Sequence, residues 1–282
     1  MDPTSQSWRC FDVEIADKVA HIRLSRGDEL NTMIPEFWSE LPQIVTAISE
    51  QASARAIVIS STGKHFCAGM DLSVFAGGQQ DADAELGRRQ ARMRSTVKTL
   101  QWTATALEKA RVPVLVAVQG GCIGGALDLA TAADLRYASA EAFFVVQEIN
   151  IGMTADIGTL QRLGSCVPEG IARELAYTGR RMSAQRAYEV GLVQQVYPDH
   201  ATLVAGVLAT AKEIASKSPL AIWGTKVAMN HARDHGVDQS LDQIATWQSG
   251  MFQPHDMVES FTAKAEGRAP VYPDLLPEPT GL

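Results

Sequence analysis

The pattern of hydrophobic and polar residues along the chain predicts alternating strands and helices. Apolar and polar residues alternate on both sides of residues 16–18, which is typical of a β-hairpin with one buried face. Apolar residues recur at helical spacing over 31–50. Two short, continuous apolar runs at 55–60 and 112–118 predict buried strands, each followed by a turn rich in small residues.

The remaining elements extend this alternation. The small, polar and acidic stretch at 75–85 predicts a mobile loop before a long helix that ends near Ala110. Further elements are expected in this order: a helix at 126–133, strands at 135–138 and 143–146, helices after 170 and over 183–191, a strand within 193–198, and helices across 201–267. Buried strands separated by helices predict an α/β core.

Composition limits the classes of function. The chain has 282 residues, 46% of them hydrophobic, which is enough for a sizeable core. Its net charge of −7 argues against nucleic acid as the ligand, because phosphate binding needs a basic face. No apolar run is long enough to span a membrane.

The cysteines and the N-terminal segment bear on location. The four cysteines lack ligand spacing and lie in apolar segments, so buried free thiols are expected rather than disulfides or a metal site. The N-terminus shows no signal or transit pattern, and the last residues are not a peroxisomal address. A cytoplasmic location is therefore expected.

Three acidic residues stand in apolar or glycine-rich surroundings, namely Asp128, Glu148 and Asp156. Burial disfavours a charged carboxylate and raises its pKa towards the range in which it can exchange protons near neutral pH. Asp128 and Asp156 could equally be acids at helix N-termini. Glu148 has no such local role in its segment, so the trio indicates proton chemistry.

Two turns could bind an oxyanion. The turns at 65–72 and 120–128 each follow a buried strand and are rich in glycine and alanine, so a ligand could approach their backbone closely. Side by side, they could direct two N–H groups at one oxygen, although either alone could be an ordinary strand-to-helix turn. The second lacks the spacing of a dinucleotide-binding fingerprint.

At these residues the chain resembles the crotonase (enoyl-CoA hydratase/isomerase) superfamily. The resemblance implies a spiral core of ββα units with a thioester site over 1–200. It also implies a helical region over 201–282 that forms a homotrimer or a dimer of trimers. Coenzyme A would be present only as part of an acyl-CoA substrate, with no permanently bound cofactor and no metal. The oxyanion donors would be the N–H groups of Ala68 and Gly125.

The acidic residues indicate a branch of this superfamily. A hydratase resembles a pair of glutamates twenty residues apart, whereas this chain has Asp128 and Glu148 at those positions and a third acid, Asp156. Asp, Glu and Asp in this order and spacing resemble the Δ3,5-Δ2,4-dienoyl-CoA isomerase branch. That resemblance implies that Glu148 serves C2 of the substrate, that Asp156 serves C6, and that Asp128 tunes the pair.

Coenzyme A contacts are expected at the first turn and at basic side chains. The resemblance implies binding at Ala68 and at the three residues Met70, Asp71 and Leu72, although Asp71 also has the pattern of a helix N-cap. Lys226, and also Lys264 or Arg268, are candidates for the phosphates. Alternatives are an enoyl-CoA hydratase, another enoyl-CoA isomerase, and an acyl-CoA-binding protein without turnover.

Overall fold

The computed structural model describes residues 2–71, 73–74, 84–252 and 254–279. Its main sheet has six strands in the order β1-β2-β3-β4-β6-β9, of which only the β1–β2 pair is antiparallel. These strands are β1 (Phe11–Ala16), β2 (Val19–Leu24), β3 (Ala56–Ser61), β4 (Val114–Val118), β6 (Leu135–Ser139) and β9 (Gln195–Tyr197). The expected α/β core is confirmed.

A smaller sheet lies beside the main one. It contains β5 (Gly121–Ile123), β7 (Phe143–Val145) and β8 (Met182–Ser183). The sequence pattern predicted a turn at 120–125 and no strand at 182–183. Strands of two or three residues are too short to show a period of two, so hydrophobic alternation could not reveal them.

The helices of the first 190 residues cover one face of the main sheet and surround the largest hydrophobic cluster. They are α1 (Pro35–Gln51), α2 (Leu86–Lys109), α3 (Gly125–Ala132), α4 (Thr159–Cys166), α5 (Glu169–Thr178) and α6 (Ala184–Glu189). A 3₁₀ turn at Glu148–Ile151 follows β7. The loop predicted at 75–85 lies mostly outside the described residues, although Glu85 caps α2 by accepting hydrogen bonds from its first N–H groups.

The N-terminal hairpin is confirmed, whereas the predicted start of the first helix is wrong. Asp17 and Lys18 both have positive φ, as a two-residue hairpin turn requires. Helix α1 begins at Pro35, because proline suits the first helical position. Residues 31–34 instead approach the turn after β3, where Met33 forms a parallel bridge with Met70.

Within the described residues, four helices form the C-terminal part: α7 (His200–Ala215), α8 (Pro219–Asp234), α9 (Val237–Met251) and α10 (Pro254–Glu266). Helix α7 buries Leu203, Val207 and Ala211 against the second face of the main sheet, so it belongs to the core. No helix among the described residues is long and apolar enough to cross a membrane.

The cysteines carry free thiols, as expected. Cys10, Cys67 and Cys122 are buried, and Cys166 is half-buried. Burial raises the pKa of the Cys67 thiol to about 12, which keeps it neutral.

Candidate active site

The turns that follow β3 and β4 lie against each other. Cys67 and Cys122 form a parallel bridge, in which the Cys67 N–H donates to the Gly121 carbonyl (3.1 Å) and the Ile123 N–H donates to the Cys67 carbonyl (3.2 Å). Since β3 and β4 are parallel neighbours, their carboxyl ends meet at one edge of the sheet. The two turns predicted to bind an oxyanion are therefore adjacent.

The first turn offers the N–H of Met70 rather than that of Ala68. The Ala68 N–H donates to the Leu30 carbonyl at 3.0 Å, so it is not available to a substrate. The Gly69 carbonyl accepts from the Met33 N–H, and the Asp71 N–H donates to the Met33 carbonyl. In an extended segment, the N–H groups of successive residues point in opposite directions. The Met70 N–H therefore points away from Met33, and it has no acceptor among the described residues. The prediction for Ala68 is wrong.

The second turn presents the N–H of Gly125, which is the first residue of α3. The first N–H groups of a helix have no partner within it, and none of the described residues accepts from Gly125. Gly124 adopts φ 56° and ψ −121°, a conformation that favours glycine, and its own N–H donates to the Val145 carbonyl. A Cβ at Gly124 would lie 3.2 Å from Glu148 Oε1, which places this carboxylate next to the turn.

Asp128 is fully buried on α3. Its Oδ1 accepts a hydrogen bond of 2.5 Å from the N–H of Thr159, the first residue of α4, whereas Oδ2 has no partner among the described residues. Asp128 therefore caps the following helix and not its own. Burial, with the charge of Glu148, raises the pKa of Asp128 from 3.8 to about 7.

Glu148 and Asp156 flank the same region. Glu148 starts the 3₁₀ turn after β7 and is half-buried, and burial, with the nearby charge of Asp156, raises its pKa. Asp156 is also half-buried, and its carbonyl accepts a hydrogen bond of 2.7 Å from Gln101 Nε2 on α2. It lies before Gly158, the N-cap of α4, so it is not in the first helical turn. The structure thus brings the three acids together: the charge of Glu148 acts on Asp128, and the charge of Asp156 acts on Glu148.

The basic side chains expected to bind phosphate are placed elsewhere. Lys226 is buried, and its ammonium donates to the carbonyls of Leu107 and Val112 and to Asp134 Oδ2 at 2.7–3.0 Å. All three donors are thus used inside the fold, and the prediction that Lys226 binds coenzyme A is wrong.

Two further candidates also have structural partners. Arg268 is paired with Glu259 and Glu266. Asp71 accepts from the Ser73 N–H and the Thr32 hydroxyl, both at 2.9 Å, and these hydrogen bonds lower its pKa. The helix that it was predicted to cap lies mostly outside the described residues. Lys264 is exposed, and Leu72 lies outside the described residues.

Comparison with known proteins defines the family. The enoyl-CoA hydratase/isomerase family matches residues 14–275, and the chain belongs to this family. A mitochondrial Δ(3,5)-Δ(2,4)-dienoyl-CoA isomerase from Homo sapiens is 41% identical over 265 residues, which cover 93% of this chain and 81% of that protein. A peroxisomal enzyme of the same name from Arabidopsis thaliana is 37% identical, with 96% of this chain and 100% of that protein covered.

A solved structure shows the same fold. The enoyl-CoA hydratase from Bacillus anthracis superposes with a TM-score of 0.84 at 31% identity, covering 94% of this chain and 99% of that one. The protein therefore has the crotonase-type fold and is an enzyme of this superfamily, with strong similarity to the dienoyl-CoA isomerases. The expected cytoplasmic location is contradicted, because these isomerases are named mitochondrial or peroxisomal.

Proposed function

We propose that this enzyme converts 3,5-dienoyl-CoA thioesters into 2,4-dienoyl-CoA thioesters during the degradation of unsaturated fatty acids. The observation that carries the proposal is the grouping of three carboxyl groups, two of them with raised pKa values, beside two unbonded backbone N–H groups. The isomerases named above support the same reaction.

The N–H groups of Met70 and Gly125 would hold the thioester oxygen. Removing a proton from C2 of the substrate places negative charge on that oxygen as a dienolate forms. Fixed donors stabilise such charge without reorganising, and one donor contributes about 3 kcal/mol to lowering the barrier. The backbone at Ala68 and Met70 would also lie beside the coenzyme A portion.

The two half-buried acids would move the protons. Glu148 Oε1 lies beside Gly124, next to the Gly125 donor, so Glu148 suits C2, the carbon bonded to the carbonyl. It takes the C2 proton, the electron pair spreads over the two double bonds, and Asp156 gives a proton to C6. The nearby charge of Asp156 raises the pKa of Glu148, which helps Glu148 to hold the proton that it takes from C2. Return of a proton from Glu148 to Asp156 would then complete the cycle.

Hydration is the second candidate, because the family contains hydratases. A hydratase needs two carboxylates that hold one water. Asp128, which occupies the first of those positions, is fully buried and already bonded to Thr159, so it is poorly placed to share a water with Glu148. This favours isomerisation.

The test is to add the purified enzyme to a 3,5-dienoyl-CoA and, separately, to crotonyl-CoA. We expect the first to gain the ultraviolet absorbance of a conjugated 2,4-dienoyl thioester, and Asp156→Asn to slow this by about 10²- to 10⁴-fold. Asp199→Asn, at an exposed N-cap of α7, is the control that keeps the activity. Rapid hydration of crotonyl-CoA without isomerisation would instead establish a hydratase, and binding without turnover of either thioester would establish an acyl-CoA-binding protein.

A further inference from the structure

We propose that Arg162 is a positioning residue, which holds the turn at 156–159 so that Asp156 and Asp128 keep a fixed relation to each other. The inference rests on the proposed function, in which both acids serve the reaction. Arg162 itself would touch neither the substrate nor the reacting atoms.

The guanidinium of Arg162 packs directly on the backbone of this turn. Its side chain is only 12% exposed, and Nη1 approaches the Ile157 carbonyl at 3.4 Å. Gly158 has φ 138°, and a Cβ there would lie 1.7 Å from Nη1. Glycine is therefore required at this position both for the backbone conformation and for the space that Arg162 occupies.

Asp128 and Gln101 hold the same turn at its other contacts. The Thr159 N–H donates to Asp128 Oδ1 at 2.5 Å, and Gln101 Nε2 donates to the Asp156 carbonyl at 2.7 Å. The backbone from the Ile157 carbonyl to the Thr159 N–H, which leads into α4, is thus held by the Arg162 guanidinium at one end and by the Asp128 carboxylate at the other. Moving Arg162 would shift the N–H that orients one acid and the backbone that carries the other.

Arg162 is itself fixed by α2. Its Nη2 lies 2.6 Å from Glu108 Oε2 and 3.3 Å from the Thr105 hydroxyl. Glu108 is 11% exposed, and its second oxygen pairs with Arg233 of α8 at 2.6 Å. A planar guanidinium can meet a carboxylate, a hydroxyl and a carbonyl at once, which the single ammonium of lysine does with less fixed geometry.

The charge of Arg162 also acts on Asp128. The titratable groups that act on Asp128 from its surroundings are Glu148, Arg162 and Cys122. Cys122 is fully buried, which raises its pKa and keeps it neutral, and Arg162 opposes the rise that burial and Glu148 cause in the pKa of Asp128. Neutralising Arg162 should therefore raise the pKa of Asp128 further.

The raised pKa of Asp128 fixes how the free energy of unfolding changes with pH. The pKa of Asp128 in the folded protein, about 7, lies above its ordinary value of 3.8. Its contribution to the free energy of unfolding is therefore fully present below pH 3.8 and is lost as the pH rises through about 7. In Arg162→Gln the decrease in the free energy of unfolding should continue to higher pH than in the wild type. This difference should vanish when Asp128→Asn is added to both proteins.

The experiment compares Arg162→Gln, Arg162→Lys and the control Arg233→Gln. Arg233→Gln removes the other partner of Glu108 without touching the turn. With a 3,5-dienoyl-CoA, Arg162→Gln should lower kcat about 10- to 100-fold with a smaller change in KM, and in the pH profile of the unfolding free energy it should move the Asp128 titration to higher pH. Arg162→Lys should restore the pH profile and part of kcat. Arg233→Gln should lower stability and keep the wild-type pH profile.

The proposal is overturned if Arg162→Gln matches Arg233→Gln in kcat and in pH profile. Failure of the proposed function gives a different result, in which the wild-type enzyme itself does not isomerise the dienoyl-CoA. In that case the unfolding free energy, followed from pH 4 to pH 9 with and without Asp128→Asn, still decides whether Arg162 acts on Asp128. If Arg162→Gln does not fold, Arg162→Lys carries the kinetic measurement: a kcat below that of Arg233→Gln is expected, because lysine holds the turn with less fixed geometry, and a kcat equal to that of Arg233→Gln contradicts the proposal.

Discussion

Single residues at this site serve the fold and the chemistry at once. Asp128 orients α4 through Thr159 and, because it is buried beside Glu148, holds its proton to near-neutral pH. The sequence allowed two interpretations of Asp128, as a helix cap and as a member of a proton-transfer group, and these are compatible with each other. The helix that it caps is α4, not its own helix. The local pattern could not show this, since Thr159 is far from Asp128 in sequence.

The Met70 N–H can be tested by replacing its peptide bond with an ester, using the α-hydroxy analogue of methionine. Removing one oxyanion donor should lower kcat for dienoyl-CoA isomerisation by about 10²- to 10³-fold, with little change in the free energy of unfolding.

The matched control is an ester at Ala68, whose N–H bonds the Leu30 carbonyl. That variant should lose stability and keep most of its kcat. The reverse outcome, in which the Ala68 ester loses catalysis and the Met70 ester does not, would return the donor to Ala68.

At the residue level, the structure gives the three predicted acids, Asp128, Glu148 and Asp156, buried or half-buried surroundings, and their catalytic roles stay a prediction. The backbone and basic groups could not be assigned from sequence in the same way. The direction of an N–H in an extended segment depends on its bridging partner, here Met33, which no local pattern reveals. Lys226 showed the same limit, because its partners lie on distant elements.

At the scale of elements, long or strongly periodic segments were predicted well and short ones were not. The hairpin of β1 and β2 and the buried strands β3 and β4 follow their hydrophobic patterns closely, and the long helix predicted to end near Ala110 is α2. Strands β5 and β8 gave no usable period, and the first helix was started too early because apolar Met33 also fits a helical spacing. Tertiary pairing with Met70 decides its conformation instead.

Helix α8 is anchored to the core through Lys226. We expect Lys226→Met to lower the free energy of unfolding by about 3 kcal/mol or more, because Asp134 loses its partner and two buried carbonyls lose a donor. The KM for the acyl-CoA should not change. Denaturant unfolding and steady-state kinetics, with exposed Lys217→Met as the control, measure both. A large rise in KM at unchanged stability would reinstate Lys226 as a phosphate contact.

At the scale of the whole molecule, the chain after α7 makes polar contacts with the core and leaves apolar side chains outside. Arg55 and Arg111 bond the carbonyls of Tyr272 and Leu276, which fixes the irregular tail. The C-terminal helices expose large apolar side chains, namely Met229, Val237, Leu241, Met257, Val258 and Phe261. Exposed apolar groups in such number are typical of interaction surfaces, which supports the trimer proposed from the family resemblance.

This surface predicts self-association. The enzyme should sediment as a trimer or a dimer of trimers, and Phe261→Lys should shift it towards smaller species, because a lysine ammonium resists burial. Val271→Lys, at an exposed tail position, is the control and should leave the mass unchanged. Equal sedimentation of wild type and Phe261→Lys would place the interface elsewhere, and a monomeric wild type would refute the assembly.

The central claim is that a proton leaves C2, a proton arrives at C6, and no water is added. It is tested most directly by running the reaction of a 3,5-dienoyl-CoA in deuterium oxide and locating the deuterium in the product by NMR. Because the acid that serves C6 exchanges its proton with solvent, we expect a 2,4-dienoyl-CoA carrying deuterium at C6. A product with a new hydroxyl group at C3 and no deuterium at C6 would contradict the account.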